Sequence, residues 1–559
     1  MFKLIDSKMK AGFFTLLFLV APIVNGQAQN DNRFEVSKQL EIFNALVKEV
    51  EMFYVDSIDV EKTFRRGIDA MLSGLDPYTE YIPEQEMGEL RMITTGEYGG
   101  VGAYISKRTE GVIVTETIEG MPAALAGLMV GDRFLAIDTV NVEKASSGEV
   151  SNLLKGLPNT KLKVKILRPG EKKARVIEIT RKQILVNQVT YYGVRKQDVG
   201  YIYLRGFTDK SAQEVKAAFE DLRKNHQIKS LILDLRNNGG GVLESAVQIV
   251  NMFVPKGKEV LSTKGKIPQW DRIYRTTSEP IDTLMPLLVL IDGASASAAE
   301  IVSGALQDMD RAVLVGQRSY GKGLVQSPRD LPYNGSLKVT ISKYYIPSGR
   351  CIQQIDYTHR NPDGSVGSIP DSLTSVFYTS KGRPVRDGGG VRPEFEVEES
   401  KTPTLLYYLL SDYVLFDFIT EYVQKHKTIA PIEAFTLADE DFEAFKQYAR
   451  EKNFSYDRQS EKLLKTLKEV AQFEGYLEEN DSTTLKTLEA RLTPDIERDF
   501  ERFKDRIKKV MATEIVKRYY FEKGELIQSL KDDEVLKKAL EILSNPELMK
   551  ETLKGVTPM

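Results

Sequence analysis

The chain of 559 residues contains one cysteine, Cys351, so it can form no internal disulfide. It has only three histidines, His226, His359 and His426, and no Cys/His spacing of the zinc-binding kind. Basic and acidic residues nearly balance, 77 against 80, and the net charge of −3 gives no electrostatic case for nucleic acid or an anionic membrane surface. Repeats, low-complexity tracts and long flexible linkers are absent. Long uninterrupted apolar runs are scarce too. "LLYYLLSDYVLFDFI" (405–419) is broken by Ser411, Asp412 and Asp417, and reads as a buried helix, not a membrane span.

The first 28 residues have the pattern of a secretory leader. Lys3, Lys8 and Lys10 form the basic start, residues 11–24 the apolar middle, and Gly26-Gln27-Ala28 a small-x-small cleavage site. The apolar part is shorter than the roughly 20 residues that a bilayer span needs. The expectation is a chain exported to the periplasm, or held at the membrane if the leader is not removed.

The remaining length is too great for one core and implies several domains. Residues 33–92 look helical, with "LDPYTEY" breaking the pattern into a loop. Residues 93–183 hold short strands punctuated by glycine, a small β module. From 184 to 400, apolar strands such as "KSLILDL" and "PLLVLID" alternate with amphipathic helices, which implies parallel βαβ units covered on both faces. Residues 401–559 are charged and helical, and Ile496, Phe500, Phe503, Ile507 and Val510 form an apolar stripe.

Chemistry concentrates in the α/β region. "LVLIDGASASAAEIVSGALQD" passes from a strand into a small-residue helix, and Ser297 stands at the junction. In an open α/β sheet the carboxyl ends of the strands border the ligand crevice. Unpaired helix N–H groups at that point suit a developing oxyanion. Yet Ser297-Ala-Ala-Glu300 is also a capping-box pattern, and on this stretch alone a helix cap is the favoured reading of the serine. Ser295 lies further back in the turn, and Ser303 a full turn inside the helix.

A nucleophilic serine needs a base, and none of the three histidines has a recognisable catalytic context. Lys322, between Gly321 and Gly323 behind the strand "RAVLVG", is the alternative. Burial would disfavour its ammonium form and leave a proton-accepting amine. The glycines 239–241 of "LDLRNNGGGVL" can expose backbone N–H groups, and no Gly-Lys-Ser/Thr follows to make a phosphate loop.

Taken together, "LDLRNNGGGVL", "GASASAAEIVSGALQD", "GQRSYGKGLVQ", "SKYYIPSGRCIQ" and "DGGGVRPEFEV" resemble, in order, the carboxyl-terminal processing peptidases, also called tail-specific proteases. The resemblance implies an α/β multidomain fold with a ClpP/crotonase-like serine peptidase core, a PDZ domain and flanking helical regions. It implies Ser297 as nucleophile, Lys322 as general base and Gln326 as the residue orienting the lysine. It places the oxyanion N–H groups at Ala298 and at Gly240 or Gly241. One departure is Gly239, where the family commonly has proline, and a looser loop is expected there. A straight strand would hold Lys322 and Gln326 about 13 Å apart, so their pairing requires a turn or bulge.

"GMPAALAGLMVGDRFLAIDTVNV" resembles a PDZ domain, and "GGVGAYI" then corresponds to its carboxylate-binding loop. The matching residues are Val101, Gly102 and Ala103, with Val150 and Leu154 on the helix lining the groove. The reading is an exported serine endopeptidase that recognises protein C-termini, needs no metal or cofactor, and has helical regions suited to self-association. The competing readings are a crotonase-like acyl-CoA enzyme, which the leader argues against, and a PDZ scaffold with a degenerate core.

Overall fold

The computed structural model describes residues 24–196, 198–361, 363–398, 402–456, 459–476, 483–492 and 495–555. The basic and most of the apolar part of the expected leader lie outside the described residues; from Val24 the backbone is helical. Two compact units divide after Gly74. The first holds the helices Val24–Phe53 and Val60–Ser73. Asp59 caps the second helix by accepting from Lys62 N at 3.1 Å. The segment 75–92, expected to belong with these helices, falls in the larger unit. It contributes the strand Glu80–Ile82 and the start of the helix Met87–Thr95.

In the larger unit the small β module is an antiparallel sheet. Its order is Ala103–Arg108, Gly111–Thr117, Arg133–Ile137, Lys161–Leu167 and Arg175–Thr180. "KLKVKIL" shows why: Leu162, Val164 and Ile166 point inward while the lysines between them face water. The helix Ser147–Leu154 begins at a reciprocal cap, with Ser146 N on Glu149 Oε2 at 2.7 Å and Glu149 N on Ser146 Oγ at 3.2 Å. Ala103–Arg108 is an edge strand of this sheet.

The α/β core holds a six-stranded sheet ordered Val189–Arg195, Val199–Leu204, Ser230–Asp234, Leu287–Ile291, Val313–Gly316 and Phe395–Glu396. The last five run parallel and the first is antiparallel. Every residue of Ser230–Asp234 and Leu287–Ile291 is buried, which explains why these strands lack polar alternation. A second, antiparallel sheet is not apparent from the sequence pattern. It joins Glu80–Ile82, Ser336–Tyr345, Glu259–Gly265 and Arg272–Arg275, with Leu324–Asp330 also paired to Ser336–Tyr345.

The apolar segment 405–419 forms two helices, Thr404–Ser411 and Val414–Lys425, instead of one. The chain breaks at Tyr413, whose φ is +60°. The stripe at 496–510 likewise spans two helices meeting at Phe503, with Phe500 and Ile507 fully buried. Among the described residues, no helix is long and apolar enough to cross a membrane.

Candidate active site

The strand Leu287–Ile291 ends at a tight turn that delivers Ser297 to the start of the helix Ala298–Asp308. Ser297 has φ +54° and ψ −113°, a region that side chains other than glycine rarely enter. Such strain persists only where its surroundings over-determine it. Here Asp292 N donates to Ser295 Oγ at 2.9 Å, and Ser295 Oγ donates to Leu235 O at 2.8 Å. Ser295, wholly buried, is therefore a structural brace. Ser303 is another, its hydroxyl turned back onto Ala299 O at 2.8 Å.

Glu300 completes the turn. Its carboxylate is fully buried and accepts from Ser297 N at 2.8 Å, Lys322 N at 2.9 Å, Gly321 N at 2.7 Å and Ser319 Oγ at 2.5 Å. Burial holds its pKa above the usual carboxylate value, and these donors offset only part of that rise. The capping-box spacing announces Glu300 as a helix-start residue. Its grip on the lysine turn has no signature in the sequence.

The glycine loop lies against the same turn. Asn238, fully buried, donates through Nδ2 to Leu204 O at 2.7 Å and accepts from Gly240 N at 2.9 Å, while its own carbonyl accepts from Ala296 N at 2.9 Å. A Cβ on Gly240 would lie 2.7 Å from Ala296 O, and one on Gly241 2.0 Å from Phe207 O, so no side chain fits at either position. Around Gly239 there is open space, and Asn238 and Phe207 hold the residues that follow it. The Gly240 N–H is occupied by Asn238. Among the described residues the N–H groups of Gly241 and Ala298 donate to no protein acceptor.

Ser297, Gly240, Gly241, Lys322 and Gln326 line one crevice of about 1220 Å³. Lys322 is half-buried, and desolvation, helped by the like charge of Lys338, pushes its pKa down to about 8. Gly321 turns the chain with φ +86°, and a bulge falls between Val325 and Gln326, which meets the geometric requirement for the lysine–glutamine pair. The pair itself is not made. Gln326 Nε2 donates to Thr340 Oγ1 at 3.1 Å, and Lys322 Nζ lies 4.3 Å from the centre of the Tyr78 ring. Nor does a hydrogen bond join Lys322 Nζ to Ser297 in this state.

Tyr78 was invisible as a site residue. It belongs to "LDPYTEY", where Asp76 Oδ1 accepts from the N–H groups of Tyr78 and Thr79, both at 2.8 Å. Thr340 N donates to Thr79 Oγ1 at 3.2 Å and ties this loop to the crevice wall. None of the three histidines lines the crevice. His359 and His426 instead contact Asp356 and the Tyr422 ring. Among the described residues there is no cluster of His, Cys, Asp and Glu able to hold a metal ion.

In the β module, Gly102 has φ +76°, and the N–H groups of Val101 and Gly102 donate to no protein acceptor among the described residues. Ala103 begins the edge strand. Val150 and Leu154, on the helix expected to line the groove, are 0% and 4% exposed and belong to the module's core. Their helix packs its apolar face fully onto the sheet, which leaves them little surface to offer a peptide.

Three family models match the chain. Peptidase family S41 covers residues 198–363, a PDZ domain covers 113–168, and the C-terminal helical domain of a probable PDZ-protease covers 405–543. Among curated relatives, the carboxy-terminal-processing protease of Bartonella bacilliformis is 34% identical over 354 residues, 62% of this chain and 80% of the relative. The carboxyl-terminal-processing protease of Synechocystis sp. is 35% identical over 301 residues, 53% of this chain and 69% of the relative. The solved photosystem II D1 C-terminal processing protease is 27% identical, with a TM-score of 0.35 over 65% of this chain and 88% of that one.

Proposed function

The chain belongs to the carboxy-terminal-processing proteases of peptidase family S41 and is a serine-type peptidase with a PDZ domain; from that premise we propose that it is an exported endopeptidase working through Ser297 and Lys322. The reading rests on one observation above all. A lysine whose pKa is pushed down to about 8 opens into the same crevice as a serine in a strained helix-start conformation.

In the proposed reaction Lys322, as the neutral amine, takes the proton from Ser297 Oγ while the oxygen attacks the scissile carbonyl. The N–H groups of Gly241 and Ala298 receive the oxyanion, since Gly240 spends its own on Asn238. The protonated lysine returns its proton to the leaving amine, and water hydrolyses the acyl-enzyme. To act, Lys322 Nζ must leave the Tyr78 ring and Gln326 must exchange Thr340 for the lysine. Catalytic hydrogen bonds commonly tighten only when substrate is bound.

The PDZ domain, through the free N–H groups of Val101 and Gly102, would receive the carboxylate of a substrate's C-terminus, with the peptide added along Ala103–Arg108. The basic, apolar and small-residue order of the first 28 residues supports export. The test is an active-site acylating probe with Ser297→Ala and Ser295→Ala variants. Labelling and turnover are expected to vanish in Ser297→Ala. Labelling retained by Ser297→Ala but lost from a folded Ser295→Ala would overturn the assignment.

A further inference from the structure

Six basic side chains line the catalytic crevice against two acidic ones, in a chain whose net charge is −3. The sign of the crevice is thus opposite to that of the molecule. Two of the six are accounted for: Lys322 is the proposed base, and Lys338 pairs with Glu80 at 2.7 Å. The other four, Arg91, Lys266, Arg272 and Arg329, are exposed and have no ion pair among the described residues. The contrast with Arg275 is instructive. At the far end of the strand Arg272–Arg275 it pairs with Glu259 at 3.1 Å, whereas Arg272, on the crevice, has no ion pair among the described residues.

The two acids offset only part of this charge, since six basic side chains face them. Asp271 is exposed and accepts from Gly265 N at 2.9 Å within its own hairpin, and Glu244 stands in the first turn of the helix just after the glycine loop. Arg329 is stacked at 4.8 Å over the ring of Trp270, the only tryptophan of the chain and 53% exposed. An arginine fixed on an aromatic face is pre-organised and still has its N–H fork free. Unpaired like charges in a cleft with low-dielectric walls raise the local concentration of oppositely charged ligands.

We propose that the crevice selects polypeptide segments carrying acidic side chains beside the scissile bond, with Lys266, Arg272 and Arg329 as the specificity-determining residues. The proposal rests on the peptidase reading for the crevice being the substrate channel, and it defines the substrate class within that reading. It is separate from tail recognition, because the carboxylates concerned belong to internal Asp and Glu side chains.

The experiment uses two peptides of equal length, both with a free C-terminus. One has Glu and Asp flanking the cleaved bond, and the other has Gln and Asn. For the wild-type protein at low salt, kcat/KM is expected to favour the acidic peptide about fivefold, and the ratio to fall toward one in 0.5 M salt, where the screening length is only a few ångströms. In the double variant Lys266→Gln, Arg272→Gln the ratio is expected to approach one at low salt as well. Equal rates for the wild type, or an undiminished preference in the variant, would overturn the proposal. Binding to the Ser297→Ala protein, followed by Trp270 fluorescence, reads the same preference without cleavage. Absence of cleavage together with an acidic preference in binding would defeat the peptidase reading and leave standing only the selection of acidic segments by the crevice.

Discussion

Ser297 and Lys322 donate their backbone N–H groups to the same atom, Oε2 of Glu300, at 2.8 and 2.9 Å. The proposed nucleophile and base are thus registered to each other through main chain, while their side chains remain free to move. Such an arrangement allows the lysine to rest on Tyr78 without losing its place beside the serine turn.

The clamp predicts the effect of Glu300→Gln. Both carboxylate oxygens are acceptors here, and an amide would present an NH2 group to two of the four donors. Stability is expected to fall by about 2–4 kcal/mol, since buried donors lose a charged acceptor. The rate constant kcat is expected to fall about tenfold or more at temperatures where the variant is folded, because the two turns lose their common anchor. Urea unfolding and steady-state kinetics measure the two effects. A variant with wild-type stability and turnover would show the clamp to be idle.

The depressed pKa of Lys322 predicts a pH profile. Below its pKa the amine is protonated and cannot accept the serine proton. The ratio kcat/KM is therefore expected to rise with pH through an acid limb near 8 and then level off. Lys338→Gln removes a like charge that helps depress the lysine, so the limb is expected to move to higher pH. Lys322→Arg is expected to be inactive across the range, because the guanidinium stays charged. An active arginine variant, or a limb unmoved by Lys338→Gln, would argue against a neutral Lys322 base.

The unpartnered N–H groups of Val101 and Gly102 predict a dependence on the substrate's terminus. Peptides ending in a free carboxylate are expected to be cut faster than the same peptides ending in an amide. The difference is expected to disappear when residues 96–183 are removed. Equal rates in the intact protein would remove the case for tail recognition.

A fourth prediction concerns the join between the C-terminal helices and the α/β core. Arg236, in the glycine-loop motif, contacts Asp234 at 2.6 Å and Asp533 at 2.7 Å, and Asp533 also caps the helix Glu534–Leu543 through Leu536 N at 2.9 Å. Asp533→Ala removes the cap and half of a buried ion network. It is expected to cost about 2–4 kcal/mol, read by thermal or denaturant unfolding. An unchanged midpoint would mean that Asp234 alone satisfies the arginine.

What could be read from sequence was what short stretches encode. Strand and helix alternation, the turn before Ser297, the glycine loop and the lysine between two glycines are local patterns, visible because burial imposes periods of two or 3.6 residues. The same local logic overreached at 405–419, where a single apolar stripe conceals a break at Tyr413.

The chain by itself determined the alternation of strands and helices in the α/β core and the family motifs it carries, since those depend on side-chain chemistry and spacing. Tertiary structure alone decided which partners they received. Glu80–Ile82 pairs with Ser336–Tyr345 and brings Tyr78 to Lys322, and Gln326 rests on Thr340 instead of the lysine. Four basic residues on the crevice wall have no ion pair among the described residues, although acids are plentiful elsewhere in the chain. Spacing constrains what lies within a turn or a strand. Pairings between distant segments depend on how whole layers pack, where many chemically equivalent partners compete and only the folded geometry selects one.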